Sequence, residues 1–390
     1  MPISDFFDVE EETFDGKRSA FLAHMDSLKA MDVREQTLYK KHQEIQTLYN
    51  EWHNRAARVK ARIWRPKNIS NVESTVADIW ELEPTIRVIE KGDRHGIDTW
   101  RTLRVFGHTA DFDQNPGRFL RFVVEDQYGK VLGFASLSSD VMNLGARDRW
   151  IGWTDEQKEA GMLKHTAVGT TIAPTQPFGY NFLGGKLIAS LLATKTVRDV
   201  WEREYDNVLV GLTTMSLYGD GSMYNGIKWW KSLGETTGKV SIKPNNNHYD
   251  VMHEVIKKKY PVEYEQMMTT EHGGPATGVK QKIMHMIYKE CGLTTTQYEH
   301  GFKRGVYFCP VYENTREFLR QEITKDQLII KDNLRNDVND VVSWWKTKAE
   351  ARYRKLVDEN RVNPDVLFYN DAISLDWDEF KSKYLHQVGR

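Results

Sequence analysis

Residues 119 to 140, FLRFVVEDQYGKVLGFASLSSD, constrain the fold more than any other stretch of this chain. Two runs rich in Val, Phe and Leu flank DQYGK, where Gly129 supplies the positive φ that a tight reversal favours. The pattern predicts an antiparallel hairpin, 119–125 with 131–138. Downstream, HTAVGTTIAP reads as a strand ended by Pro174. GGKLIASLLATKTVRDVWEREY reads as helix, with Leu187, Leu191 and Leu192 on its buried side. DNVLVGLTTMSLYG has the unbroken apolar character of a strand inside a covered sheet. GSMYNGIKWWKSLGET is expected to form a short helix, opened by Ser222 or Asn225 and closed at Gly234. The order hairpin, strand, helix, strand, helix predicts an α/β or α+β sandwich around a mixed sheet.

The flanks are mainly helical. Residues 16–65 carry apolar side chains at spacings of three and four with no proline, which predicts a helical hairpin, and 71–84 fits one short helix. TWRTLRVFGH is expected as a strand, and TDEQKEAGML as a helix capped by Thr154 with Gln157 at its third position. Beyond 244, helices are expected over 251–265 and 277–290. HGFKRGVYFCPVYENTREFLR then reads as strand, proline turn and helix. The charged tail from 321 is helical, with an aromatic node at Trp344 and Trp345. These shifts in character divide the chain into a helical extension (1–95), a central α/β core (96–245), an α+β segment packed on that core (246–325) and a helical C-terminal region (326–390).

Composition excludes some classes of function. With 54 basic and 55 acidic residues the net charge is −1, so the chain is no polycationic coat, although balanced totals permit a local basic groove. Two cysteines, Cys291 and Cys309, make no metal cluster by themselves and suit a reducing compartment. No apolar run approaches the roughly 18 residues of a membrane span. The acidic start, MPISDFFDVEEETFDGKRS, lacks the order of a secretory signal, so a cytoplasmic protein is expected.

Four groups of residues carry candidate chemistry. The first is the loop TQPFGYNFLGGK, where Gly179, Gly184 and Gly185 run into a helix and Lys186 adds charge. Backbone N–H groups at such a helix start suit an anion, although close packing alone also demands glycine. The spacing is neither a Walker A loop nor GxGxxG. The second is the polar set His165, Asp140, Tyr224 and Asp220 at neighbouring strand ends. It contains a possible general base and proton donor, each with an ordinary structural role as the alternative. The third is Cys309 with His300, a pair lacking a third group to orient it. The fourth is basic residues interleaved with rings: Lys228, Trp229 and Lys231 in KWWK, Lys303 and Arg304 in HGFKRGVYF, and the density of HNRAARVKARIWRPK. These suit phosphate contact and base stacking, against the alternative of solvated faces and inward-packed rings. No spacing points to zinc.

The running order of VLGFASLSS, GTTIAPTQPFGYNFLGGKLIASLLA, VLVGLTTMSL and YNGIKWWKSLGE resembles the GNAT acetyltransferase fold. In the loop, PFGYNFLGG stands where that fold carries glutamine/arginine-x-x-glycine-x-glycine/alanine. Over about 100–320, GRFLRFVV, FLGGKLIASLLATKTV, WEREYDNVLVGLTTMSLYGDGSMYNGIKWWKSLGETTGK and HGFKRGVYFCPVYENTREFL are similar to the DruA-like family of the Druantia anti-phage system. The resemblance implies a GNAT-like mixed sheet with helices on both faces and a role in phage–host conflict at nucleic acid. Mom-type phage enzymes, which modify DNA bases, share that fold. A first reading therefore has acyl-coenzyme A held by Gly179–Lys186, Tyr224 protonating the leaving thiolate, and Asp220, Asp140 or His165 removing a proton from a DNA base. A second keeps the fold as a non-catalytic nucleic-acid-binding protein. A third is a phage assembly protein that forms homo-oligomers through its N-terminal helices.

Overall fold

The computed structural model describes residues 14–46, 51–108, 117–216, 221–236, 240–269, 278–300 and 303–387. Among them run nine strands: β1 (Thr85–Ile89), β2 (Phe119–Glu125), β3 (Val131–Ser139), β4 (Thr166–Pro174), β5 (Gly211–Ser216), β6 (Lys231–Glu235), β7 (Val240–Ser241), β8 (Glu299–His300) and β9 (Gly305–Pro310). Seven form one mixed sheet in the order β1–β2–β3–β4–β5–β9–β6, and β7 pairs with β8 apart from it.

The predicted hairpin is the pair β2–β3, reversed at Gly129 with a φ of 73°. β3 is buried along almost its whole length, as a strand covered on both faces must be. β4 pairs antiparallel with β3 as far as Pro174, but it runs parallel with β5 only over Thr166–Val168 against Gly211–Thr213. On its other edge β5 pairs with β9 along its whole length, from Gly211 opposite Pro310 to Ser216 opposite Gly305. The two central strands therefore splay apart and open a wedge toward their C-terminal ends.

Helices Phe178–Phe182, Gly184–Leu191 and Lys195–Tyr205 make the crossover from β4 to β5. Their buried residues Phe178, Phe182, Leu187, Ile188, Leu191 and Trp201 join Leu132, Leu137 and Leu212 of the sheet in one apolar core. The long helix Val338–Asp358 packs on this layer. Its Trp345 lies fully inside, donates its indole N–H to the Phe182 carbonyl at 2.8 Å, and stacks 5.2 Å from the Phe178 ring.

The structure corrects three local expectations. TWRTLRVFGH lies within a helix, Arg94–Phe106, whose N-cap Asp93 accepts a hydrogen bond from the Gly96 N–H at 2.8 Å. Trp100, Leu103 and Phe106 point inward at helical spacing, so period three outweighs the β-branched and aromatic content. The β-sheet instead gains β1 from TIRVI. The N-terminal region forms helices Phe14–Ala30, Val33–Gln46 and Glu51–Arg62 rather than one hairpin. YNGIKWWK forms a chain of i→i+3 turns through Gly226, with a φ of 77°, before the chain extends into β6.

The chain forms two compact units, one of residues up to Gln43 with Lys239–Phe302, and one of Glu44–Gly238 with Lys303–Arg390. The first has its own core of Phe21, Met25, Leu28, Met252, Ile256 and Ile287. The second holds the sheet. This grouping cuts across the sequence segments, because β9 belongs to the sheet while the helices just before it do not. Cys291 and Cys309 are unpaired and buried, and burial pushes their thiols up to about 11 and about 12. Cys309 is thus a core residue of β9 rather than a nucleophile. Among the described residues no helix is long and apolar enough to cross a membrane, and no group of three His, Cys, Asp or Glu side chains is arranged to hold a metal.

Candidate functional site

Two regions of the sheet-bearing unit gather the side chains singled out by sequence. The first is the wedge between β4 and β5. Thr214 of β5 bridges its mouth, donating its hydroxyl to the Gly169 carbonyl of β4 at 3.1 Å and sharing a hydrogen bond of 3.3 Å with the Tyr224 hydroxyl. Tyr224 is buried between Trp230 and Tyr307, with ring centroids 4.9 and 5.0 Å away. Burial pushes its phenol well above the usual range, so it stays protonated at any physiological pH.

The glycine loop lies at the same end of the sheet. The Gly179 N–H donates to the Thr175 carbonyl at 2.7 Å, that of Tyr180 to the Gln176 side chain at 3.0 Å, and that of Lys186 to the Leu183 carbonyl at 2.9 Å. A Cβ on Gly184 would lie 2.3 Å from the Phe178 ring, and one on Gly185 2.6 Å from the Met223 sulfur. Gly179 is equally confined by Pro174 and Gln176. The Lys186 ammonium donates to the backbone carbonyls of Met223 and Asn225. Burial, helped by the charge of Lys348, holds its pKa below the usual lysine value. The Cβ positions of Gly184 and Gly185 are thus taken by Phe178 and Met223, and the N–H groups of Gly179, Tyr180 and Lys186 are spent within the chain.

The remaining polar candidates lie elsewhere. Asp140 is fully buried in an ion pair, 2.7 Å from Arg147, and accepts hydrogen bonds from the Thr213 hydroxyl at 2.7 Å and the Val141 N–H at 2.9 Å. Arg147 also pairs with Asp148 at 2.7 Å, and Lys158 closes the network on Asp148 at 3.4 Å. His165 donates through Nδ1 to the Val208 carbonyl at 2.9 Å and packs edge-on against Phe318. Burial lowers its pKa despite that hydrogen bond. Asp220 lies outside the described residues. At the sheet edge, Lys231 is exposed beside the Trp150 ring, Lys303 pairs with Glu235 at 3.7 Å, and the Arg304 N–H donates to Thr236 at 3.1 Å.

The second region brings together residues far apart in sequence. Lys228 and Trp229, on the turns after the wedge, face Arg335, Trp344 and Lys348 across a cleft of about 700 Å³. Trp344 is half-buried, its ring centroid 5.1 Å from that of Trp229. The Arg335 guanidinium and the Lys348 ammonium lie 6.0 and 5.6 Å from its centroid. Trp229 is only 2% exposed, and its indole N–H has no hydrogen-bond partner. Such a buried donor is costly unless something accepts from it. Asp332 and Asp340 at the rim temper the charge. The arrangement suits a planar ring stacked on tryptophan with a phosphate beside the cations. The sequence reading found Lys228 and Trp229 but not their partners. The signal available was a repeated Trp-Trp-Lys, at 229–231 and again at 344–346.

A mixed sheet with helical extensions, carrying a cleft of cations and tryptophans, defines a class of protein, and comparison with known families gives it a place. The chain belongs to the Druantia protein DruA family, whose model matches residues 34–321. It is 24% identical over 258 residues to the Druantia protein DruA of Escherichia coli (strain UMEA 4076-1). That alignment covers 62% of this chain and 62% of the relative, so the chain spans about three-fifths of the relative's length. The family is associated with phage defence. No solved structure matches the chain.

Proposed function

We propose that this chain is a nucleic-acid-binding protein of phage–host conflict, holding an unpaired strand in the cleft beside Trp344. The observation that carries the reading is the half-buried face of Trp344 with the cations of Arg335 and Lys348 beside it, in a cleft that Lys228 also lines. A base stacks on the half-buried face of Trp344, and the cations meet its phosphates. Single-stranded nucleic acid fits better than duplex, because an unstacked base is what a tryptophan face receives.

The core is read as a GNAT-like sheet whose cofactor seat is filled from within. The parallel pairing of β4 and β5 that ends at Val168 and Thr213, with a tyrosine hydroxyl at the opening, supports that lineage. The packing of Phe178 and Met223 against Gly184 and Gly185 argues against acyl transfer through this loop. The test is fluorescence anisotropy with labelled single-stranded and duplex oligonucleotides over a range of salt. Salt-sensitive binding of the single strand, weakened about 5- to 100-fold by Trp344→Ala, is expected. Equal binding by wild type and variant contradicts the reading.

A further inference from the structure

A second group of cations, on the sheet and far from the cleft in sequence, is left unused by this reading. Along β2, Phe119, Arg121 and Val123 share one face, opposite Leu120, Phe122 and Val124. Helix Arg94–Phe106 packs against β2 and β3 and brings Arg101 near Arg121. The Arg121 guanidinium lies 4.6 Å from the Phe119 ring centroid and 5.5 Å from that of Trp100. Arg118, three residues earlier, lies 4.6 Å over Trp201 and spends two donors on Ser139 and the Lys164 carbonyl.

Other guanidiniums of this sheet face carboxylates. Arg62 and Arg87 both hold Glu125, at 2.7 and 3.2 Å, and Arg147 holds Asp140. Arg101 and Arg121 differ. Neither has a hydrogen-bond or ion-pair partner among the described residues, and the Nε of each is buried without an acceptor. Burial and, next, the charge of Arg101 hold the Arg121 pKa below its ordinary value. Two like charges, both partly removed from water and one of them, Arg121, held against rings, oppose one another until an anion sits between them. The rings of Phe119 and Trp100 fix the planar fork of Arg121 in advance, which is the preparation a tetrahedral oxyanion needs for paired hydrogen bonds.

We propose that Arg101 and Arg121, with Arg118 alongside, form a phosphate-binding site between helix Arg94–Phe106 and β2, separate from the tryptophan cleft. The phosphate belongs either to a free nucleotide or to a nucleic-acid backbone, which share this chemistry.

The test is calorimetric titration of the full chain with inorganic phosphate, against sodium chloride at matched ionic strength. Saturable phosphate binding is expected, falling at least about tenfold in Arg101→Gln and in Arg121→Gln and unchanged in Trp344→Ala. Should a glutamine variant fail to fold, Arg101→Lys and Arg121→Lys keep the charge and lose the fork, and the same weakening is expected. Phosphate binding no stronger than chloride, or full affinity in the glutamine or lysine variants, overturns the site. Displacement of phosphate by ATP alone makes the source a nucleotide, and displacement by a single-stranded oligonucleotide makes it a strand. Displacement by neither overturns the site. Loss of strand binding in Trp344→Ala with phosphate binding intact separates the two proposals.

Discussion

The wedge between β4 and β5 and the cleft around Trp344 belong to the same unit, and both are lined by lysine, tyrosine or tryptophan near backbone turns. They differ in what those groups are doing. In the wedge the described polar groups are spent: Tyr224 on Thr214, Lys186 on two carbonyls, and the loop N–H groups of Gly179, Tyr180 and Lys186 on neighbours. In the cleft the cations crowd a half-exposed ring, and the Lys348 ammonium has no hydrogen-bond or ion-pair partner among the described residues. A satisfied network gains nothing from a ligand, whereas an unsatisfied one does. Residue type marks both places as candidates, and satisfaction separates them.

The sharpest way to break the comparison is to empty the network beside the wedge. Asp140→Ala leaves Arg147 buried with one carboxylate fewer and is expected to cost about 3–5 kcal/mol in thermal or urea denaturation. A near-neutral effect would mean that Asp140 is held there for chemistry rather than for folding. Next, Gly184→Ala forces a methyl against the Phe178 ring, and a loss of about 1–3 kcal/mol is expected. If it were tolerated, the loop would have room for a ligand after all, and the contrast with the cleft would fail.

How far these places were legible in the sequence follows from the range of the contacts. The hairpin, β4, β5, and the helix capped by Thr154 and Gln157 rest on local alternation, turns and caps, and all form within the expected stretches, β5 and the helix over only part of theirs. Helix Arg94–Phe106 was misread because Trp100, Val105 and Phe106 have strand preferences that packing against the sheet overrides. The turns of YNGIKWWK were misread as helix because the long-range pairing of Lys231 and Ser232 with Phe308 and Tyr307 draws the chain into β6. Half of the cleft, Lys228 and Trp229, was visible as basic residues next to rings. Trp344 and Lys348 reach it because helix Val338–Asp358 packs on the crossover helices, and Arg335 because it lies just before that helix. The filling of the glycine loop by Phe178 and Met223 is likewise a tertiary fact, since glycine for an anion and glycine for close packing look alike in one dimension.

Two smaller effects sharpen the other side of the comparison. Tyr224→Phe removes one buried hydrogen bond and is expected to cost about 1 kcal/mol of stability while leaving oligonucleotide affinity unchanged. A selective loss of binding without loss of stability would move the functional site back to the wedge. Lys348→Gln is expected to leave stability within about 0.5 kcal/mol of wild type. It should also reduce the slope of log affinity against log salt by about 1, measured by anisotropy. An unchanged slope would remove Lys348 from the phosphate contacts.

The most direct measurement is a calorimetric titration of the full chain with acetyl-coenzyme A and, separately, with a single-stranded oligonucleotide. The account predicts saturable, salt-sensitive binding of the oligonucleotide and no heat from acetyl-coenzyme A. Saturable binding of acetyl-coenzyme A with silence toward the oligonucleotide would contradict it, and would make the glycine loop a cofactor cradle and the tryptophan cleft an ordinary surface.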